Sequence, residues 1–203
     1  PIGKDAVNTN FWNKSDELIK AGLELEMSLL KQMNVNAIRH YSDIPSKWVQ
    51  YIFENYGIYT MLNHSFGRYG LTVNGVWKPI TDYSNDDTQK VLLSEIETLV
   101  NKYKNTPGLL LYLLGNENNY GLFWSGAETE DFPEEESKKK AVGEKYGRPM
   151  YKLMNLAAKK IKELDSNHPV AICNGDDLFI DIVAEECRDI DIFGVNSYRG
   201  ASF

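Results

Sequence analysis

The run Leu109-Leu110-Leu111-Tyr112-Leu113-Leu114 constrains this chain more than any other feature. It is far shorter than the roughly 20 apolar residues that a membrane-spanning helix needs. It also lacks the alternation of a half-exposed strand, and reads as a strand buried on both faces. The run stops abruptly at Gly115-Asn116-Glu117. A buried strand that ends this way delivers a carboxyl group to the C-terminal rim of a sheet. In parallel α/β folds that rim is where ligands bind and chemistry happens. Glu117 is therefore a catalytic candidate on position alone.

Helical and strand patterns alternate on both sides of this run. Ser15 reads as the N-cap of a first helix, with Asp16 and Glu17 in its first turn. Leu18, Leu25, Leu29 and Met33 then recur at helical spacing, and a short strand follows over 36–41. Ser46 reads as the cap of a second helix that carries Val49, Ile52, Phe53 and Tyr56 and stops at Gly57, before a strand over 58–62. Ser84 with Asp87 resembles a capping box for a helix presenting Leu92, Ile96, Leu99 and Tyr103, broken at Thr106-Pro107-Gly108.

Beyond Glu117, a polar stretch over 118–148 leads to a helix holding Met150, Met154, Ala157, Ile161 and Leu164. A strand over 170–173, a short helix over 178–186 and a strand over 191–196 complete the pattern. Strands separated by helices predict a parallel sheet with right-handed crossovers. The polar stretch, roughly thirty residues, far exceeds the usual connection and predicts an insertion that walls a site. A doubly wound sheet and a (β/α)8 barrel both satisfy this order. No G-x-G-x-x-G follows the first strand and no G-x-x-x-x-G-K-[ST] occurs, which disfavours nucleotide binding.

Net charge is −7, against the basic surface that nucleic acid requires. Glu134-Glu135-Glu136 and Lys138-Lys139-Lys140 read as a solvated helix start. Cys173 and Cys187 lack metal or redox spacing, and Cys173 reads as a small buried hydrophobe inside a strand. The three histidines lack ligand spacing, G-x-S-x-G is absent, and neither a metal nor a cofactor is indicated.

Each strand ends in polar or aromatic groups: Arg39, His40 and Tyr41; Asn63 and His64; Asn116 and Glu117; Asn174, Asp176 and Asp177; Asn196, Ser197 and Tyr198. Amides, carboxylates and rings converging on one rim suit a polyhydroxylated ligand with apolar C–H faces. Trp124 offers a stacking face for a sugar or an anchor for its own loop. Arg39 reads equally as a site residue and as a structural ion-pair partner. His64 reads as a polar subsite or loop residue, Asp176 and Asp177 as helix caps, and Asp43 as a turn residue.

Strand-Gly-Asn-Glu resembles the fourth barrel strand of the clan A glycoside hydrolases, which include family 2 β-glycosidases. The resemblance implies that Glu117 is the general acid/base and that Asn116 binds the sugar 2-hydroxyl. Asn34-Val35-Asn36-Ala37-Ile38-Arg39 resembles the clan's second strand, whose arginine supports the nucleophile's surroundings. The stretch from Asp191 to Tyr198 resembles its sixth strand, where a tyrosine approaches the nucleophile. Ile38-Arg39-His40-Tyr41-Ser42 and Tyr198-Arg199-Gly200-Ala201-Ser202-Phe203 also resemble the family 72 β-1,3-glucanosyltransferases.

The resemblance implies an incomplete (β/α)8 TIM barrel over residues 1–203, with strands two to six present. It implies a retaining glycosidase or transglycosidase acting on an oligosaccharide or polysaccharide with β-linkages. Glu117 is the expected catalytic residue, and Asn116, Arg39, Tyr198, Asn63, His64, Trp124 and Asn196 are the expected substrate contacts. A retaining enzyme needs a second carboxylate about 5–5.5 Å from the first. The clan places it on strand seven, so the nucleophile is expected beyond Phe203 and the 203 residues alone are expected to be inactive. The competing expectation is a non-catalytic carbohydrate-binding or scaffold domain that self-associates through open sheet edges. The resemblance favours a periplasmic or secreted location, although the residues carry no signal peptide.

Overall fold

The computed structural model describes residues 11–40, 44–122 and 135–198. Five parallel strands form one sheet: β1 (Ala37–His40), β2 (Tyr59–His64), β5 (Leu109–Leu114), β6 (Val170–Gly175) and β7 (Ile192–Asn196). Their spatial order is β1-β2-β5-β6-β7, the order in which they occur in the chain. A doubly wound sheet reverses direction at a switch point. The absence of any reversal among the described strands decides for the incomplete (β/α)8 barrel.

Helix α1 (Asp16–Gln32) precedes β1, and α2 (Ser46–Tyr56), α3 (Asp86–Tyr103), α5 (Arg148–Leu164) and α6 (Ile180–Glu186) fill the crossovers. No helix of the described residues is long and apolar enough to cross a membrane. Outward residues of the strands, among them Leu62, Tyr112, Leu114 and Ile172, join the helices in the main core. On the opposite side, Leu111, Leu113, Ala171 and Cys173 form a smaller cluster with Met61. Register extends that inner side, because paired residues of parallel strands share a face. Arg39 pairs with Met61, Asn63 with Leu113, Cys173 with Gly194 and Gly175 with Asn196.

The helix starts refine the sequence reading. Ser15 caps α1, accepting from the Leu18 amide at 3.4 Å. However, α1 buries Ile19, Leu23 and Met27, while Leu18, Leu25, Leu29 and Met33 lie exposed. This helix carries two apolar stripes, and the core takes the i, i+4, i+8 row. Ser46 does not cap α2. Pro45 holds that position, and its carbonyl accepts from Trp48 at 2.8 Å. The α3 cap is Asn85, whose Oδ1 accepts from the Asp87 and Thr88 amides at 3.0 and 3.1 Å. Ser84 instead donates to Asp82 at 2.6 Å. Gly57 does end α2, in the left-handed region at φ +65°.

A hairpin lies where no element was assigned. Leu71–Val73 (β3) and Val76–Lys78 (β4) pair as an antiparallel hairpin. Its two-residue turn is Asn74-Gly75, with positive φ at both residues, as a type I′ turn requires. The polar stretch before α5 contains α4 (Glu136–Val142), which runs through a π-helical turn at Gly143–Gly147 into α5. This agrees with the reading of Glu134 to Lys140 as a solvated helix start. At the start of α5, Arg148 pairs with Glu144 of the π-helical turn and with Glu185 and Glu186 of α6.

The opposite end of the sheet from Glu117 carries a buried polar cluster. Asp165, 5% exposed, accepts from the Tyr112 hydroxyl at 2.8 Å and the Asn167 amide at 3.0 Å, and His168 Nδ1 lies 2.7 Å away. Burial alone would raise the Asp165 pKa; these hydrogen bonds outweigh it and hold it below the ordinary value. With the folded pKa below an unfolded one of about 3.9, the contribution is complete above that pH. It is lost as pH falls through the folded pKa. Asp165→Ala is therefore expected to cost roughly 1–3 kcal/mol at neutral pH and to flatten the acid limb of stability. Urea midpoints measured from pH 7 to pH 3 check both outcomes.

Candidate active site

The site is built at the end of β5. Gly115 has φ +81°, and a Cβ there would collide with Asn118 Oδ1, so only glycine fits. Glu117 also lies in the left-handed region, with φ 56° and ψ 36°. For a residue other than glycine that conformation costs on the order of 1–3 kcal/mol, and it persists because its neighbours are held on both sides.

Asn118, 3% exposed, accepts from the Asn116 amide at 2.9 Å. Its Nδ2 donates to the Ser65 and Phe66 carbonyls, at 3.1 and 3.0 Å, and to the Tyr83 hydroxyl at 3.2 Å. Tyr83 donates in turn to the Phe66 carbonyl at 2.8 Å, and its burial pushes the phenol pKa up, so it remains a neutral donor. Asn119 is fully buried. Its Nδ2 donates to the Gly175 carbonyl and its Oδ1 accepts from the Gly175 amide, both at 2.8 Å. The Glu117 amide donates to the Cys173 carbonyl at 2.8 Å. The turn is thus tied to the loop after β2 on one side and to β6 on the other.

The Glu117 side chain meets an amide. Asn196 Nδ2 donates to Glu117 Oε1 at 2.8 Å and to Asn116 Oδ1 at 3.2 Å. Asn196 Oδ1 accepts from the Cys173 thiol at 3.0 Å, and Arg39 Nη1 donates to Cys173 Sγ at 3.4 Å. Burial pushes the Cys173 thiol up against the opposing pull of Arg39, so it is a protonated donor near neutrality. The cluster places one carboxyl group at a strand end, with amide and guanidinium donors around it. That is the equipment to hold a sugar hydroxyl and to give or take one proton.

Of the residues expected to serve the site, Glu117, Asn116, Arg39 and Asn196 come together. Asn63 lies on the inner side, where its Oδ1 is buried without a hydrogen-bond partner among the described residues. His64 has different partners from those expected of a subsite residue. It faces the helices, with Nε2 3.3 Å from Glu95 on α3 and Nδ1 accepting from the Phe66 amide at 3.1 Å. Neighbouring residues of a strand point to opposite faces, so Asn63 and His64 could not both face inward.

Tyr198 is 89% exposed, two residues past β7. Trp124, Tyr41 and Asp43 lie outside the described residues. Asp176 and Asp177 do not cap α6. Its N-cap is Phe179, without a side-chain cap, and Asp176 accepts from the Tyr120 hydroxyl at 3.0 Å. Asn174 belongs to the outer side, accepting from the Tyr151 hydroxyl at 2.6 Å.

Sequence reading missed Asn118, Asn119 and Cys173. The two asparagines read as the start of a polar loop, and the cysteine as apolar filling. Only the signal of two consecutive amides after a strand-end glutamate was available to find the first pair. A cavity of about 1200 Å³ opens beside the rim, lined by Tyr120, Arg148, Asp176 and Phe179 among others, and Glu117 is not among its walls. The inner face of five strands is an open trough rather than an enclosed pocket. Among the described residues no group of three or more His, Cys, Asp or Glu is arranged to hold a metal ion.

The family model "Glycosyl hydrolases family 2, TIM barrel domain" matches residues 19–198. The chain is similar to the β-galactosidase of Lactococcus lactis subsp. lactis (strain IL1403), with 32% identity over 99 residues. It is also similar to that of Leuconostoc mesenteroides subsp. mesenteroides, with 28% identity over 99 residues. Each match takes in 47% of this chain and only 9% of the relative. Among solved structures, a β-glucuronidase of Parabacteroides merdae with glycerol in its active site superposes with a TM-score of 0.54 at 18% identity. That match covers 89% of this chain and 18% of the other. The β-galactosidase of the haloarchaeon Halorubrum lacusprofundi superposes with a TM-score of 0.60 at 12% identity, over 88% of this chain and 38% of the other. At these identities the structural likeness concerns the fold.

Asn119→Ala would orphan both backbone groups of Gly175. It is expected to lower stability by roughly 1–3 kcal/mol, as a reduced urea midpoint at unchanged m-value. An unaltered midpoint would mean that the turn is held by other contacts.

Proposed function

The chain belongs to the family 2 glycosyl hydrolases, as part of their TIM-barrel domain, and from that membership we propose a retaining glycosidase or transglycosidase acting on β-linked glycans. Residues 1–203 contribute one part of the catalytic barrel, and Glu117 is its general acid/base. The observation that carries this reading is the Glu117 carboxyl itself. It sits at the C-terminal end of β5 in a left-handed conformation, gripped by Asn196 from the inner side. Family membership accounts for the strand-Asn-Glu arrangement, and the backbone strain accounts for why so many hydrogen bonds converge on it.

In this reading Glu117 protonates the glycosidic oxygen as the leaving group departs, then deprotonates the incoming water or sugar hydroxyl. Asn116 holds the sugar 2-hydroxyl, Arg39 supports the carboxylate surroundings, and Asn63 offers an acceptor on the inner face. Tyr198, just past β7, is assigned to the sugar's surroundings, as is Trp124 from its sequence alone. A double displacement needs a nucleophilic carboxylate about 5–5.5 Å from the acid. The described strands do not carry it, and we assign it to the seventh barrel strand of the longer polypeptide. The β-galactosidases and β-glucuronidases similar to this chain act on different sugars, so the proposal is made at the level of the β-glycosidic bond.

The test uses a polypeptide carrying this chain together with the remaining barrel strands. Glu117→Gln is expected to lower kcat/KM by roughly 10²–10⁴ on an aryl β-glycoside with a poor leaving group. A very acidic phenol departs without acid assistance, so the loss there should be small. Undiminished hydrolysis of the poor substrate would sink the acid/base assignment and leave Glu117 as a ligand contact in a carbohydrate-binding domain.

A further inference from the structure

We propose that Cys173 is a positioning residue for Glu117, acting through Asn196: its thiol holds the oxygen end of the Asn196 amide and so keeps Nδ2 aimed at the carboxyl group. The inference rests on the acid/base reading of Glu117 and extends it to a residue whose type suggests only packing.

The two ends of an asparagine amide have nearly the same shape, so hydrogen-bond partners alone choose between them. Asn196 has three. Glu117 Oε1 and Asn116 Oδ1 lie 2.8 and 3.2 Å from Nδ2, and both accept. Cys173 Sγ lies 3.0 Å from Oδ1, and it donates. Arg39 settles the polarity of the sulfur. Its Nη1 donates into Sγ from 3.4 Å, which occupies the sulfur as an acceptor and leaves the S–H to point at Asn196.

A flipped amide would set Oδ1 against two acceptor oxygens and its NH2 against the thiol proton. The row Arg39, Cys173, Asn196, Glu117 therefore runs in one direction of donation across three strands and the active-site turn. All four side chains lie on the inner side or at its rim, and Cys173 is 9% exposed, so water does not compete strongly for its proton.

The consequence concerns the proton-transfer step. With Oε1 engaged by the Asn196 N–H, the reacting proton is assigned to Oε2, and the plane of the carboxyl group is fixed. Without the thiol, Asn196 Oδ1 loses its donor, the amide is held from its Nδ2 end alone, and the carboxyl group loses part of its fixed orientation. Acid assistance should weaken while substrate binding persists. Valine would fit a strand here as well as cysteine, but it offers neither a donor nor an acceptor at the position of Sγ.

The experiment compares Cys173→Ala, Cys173→Ser and Glu117→Gln in the polypeptide that carries the complete barrel. kcat/KM is measured on a series of aryl β-glycosides whose leaving phenols range from strongly to weakly acidic. Cys173→Ala is expected to lose about ten-fold on the weakest leaving group and less than about two-fold on the best. Cys173→Ser, which keeps a donor, should follow the unsubstituted protein across the series. An equal loss on all substrates would mean a structural role only, and no loss on any would mean that the thiol is idle. Either result overturns the proposal.

Folding is monitored by thermal melting. Should Cys173→Ala not fold, Cys173→Val replaces it, and failure of both assigns the thiol to barrel packing and overturns the positioning role. Glu117→Gln separates the two levels of inference. If it lacks a leaving-group-dependent loss, the acid/base reading falls and takes this proposal with it. If it shows that loss and Cys173→Ala does not, only the positioning role falls.

Discussion

Asn119 grips the backbone of Gly175 with both ends of its amide, and the site depends on that grip. The two hydrogen bonds act like one more rung of sheet, extending the pairing of β5 with β6 past the last residue of the strand. Asn118 does the corresponding work toward the loop after β2. Between these anchors the chain has no freedom to relax Glu117 out of its left-handed conformation. Buried amides are suited to this task because each offers donors and an acceptor without introducing a charge.

The sheet divides its labour between faces and between ends. Outward residues bury against helices and provide most of the core, whereas inward residues are fewer, and polar toward the C-terminal end. Phe66, Glu117, Asp176 and Phe179, all non-glycine residues with positive φ, follow the C-terminal ends of β2, β5 and β6. Backbone strain of this kind collects where function requires particular geometry and the surroundings over-determine it. The other end of the sheet holds the Asp165 cluster, in which a buried carboxylate is satisfied by three neighbours and faces no open trough. One end is arranged to present a carboxyl group and the other to stabilise one.

Much of this was legible from local pattern. The buried run 109–114, the stop at Gly57, the Ser15 cap and the apolar face of α5 follow from spacing and from residue conformational preference. The misreadings have specific physical causes. In α1 two apolar stripes compete, and periodicity alone does not say which the core will take. At α2 and α3 the neighbours Pro45 and Asn85 outcompete Ser46 and Ser84, because cap position is decided by where the first helical carbonyl falls. The Asn74-Gly75 hairpin did carry a signal, since that pair favours a type I′ turn. Helix α4 was legible as a charged, solvated helix start, although it has no buried residue to fix its bounds.

The sequence by itself determined the elements, their order and the delivery of Glu117 to the end of a buried strand. These depend on interactions within a few residues, where apolar period, caps and glycine conformations act directly. Tertiary structure alone decided that the strands run in unbroken order, that Asn63 faces inward while His64 turns to α3, and that Cys173 joins the site. The contacts responsible span long stretches of chain: 56 residues from Asn119 to Gly175, 79 from Glu117 to Asn196 and 134 from Arg39 to Cys173. No local run encodes a partner that far away. The carboxyl group was readable one strand at a time, and the hydrogen bonds that aim it exist only when the strands stand side by side.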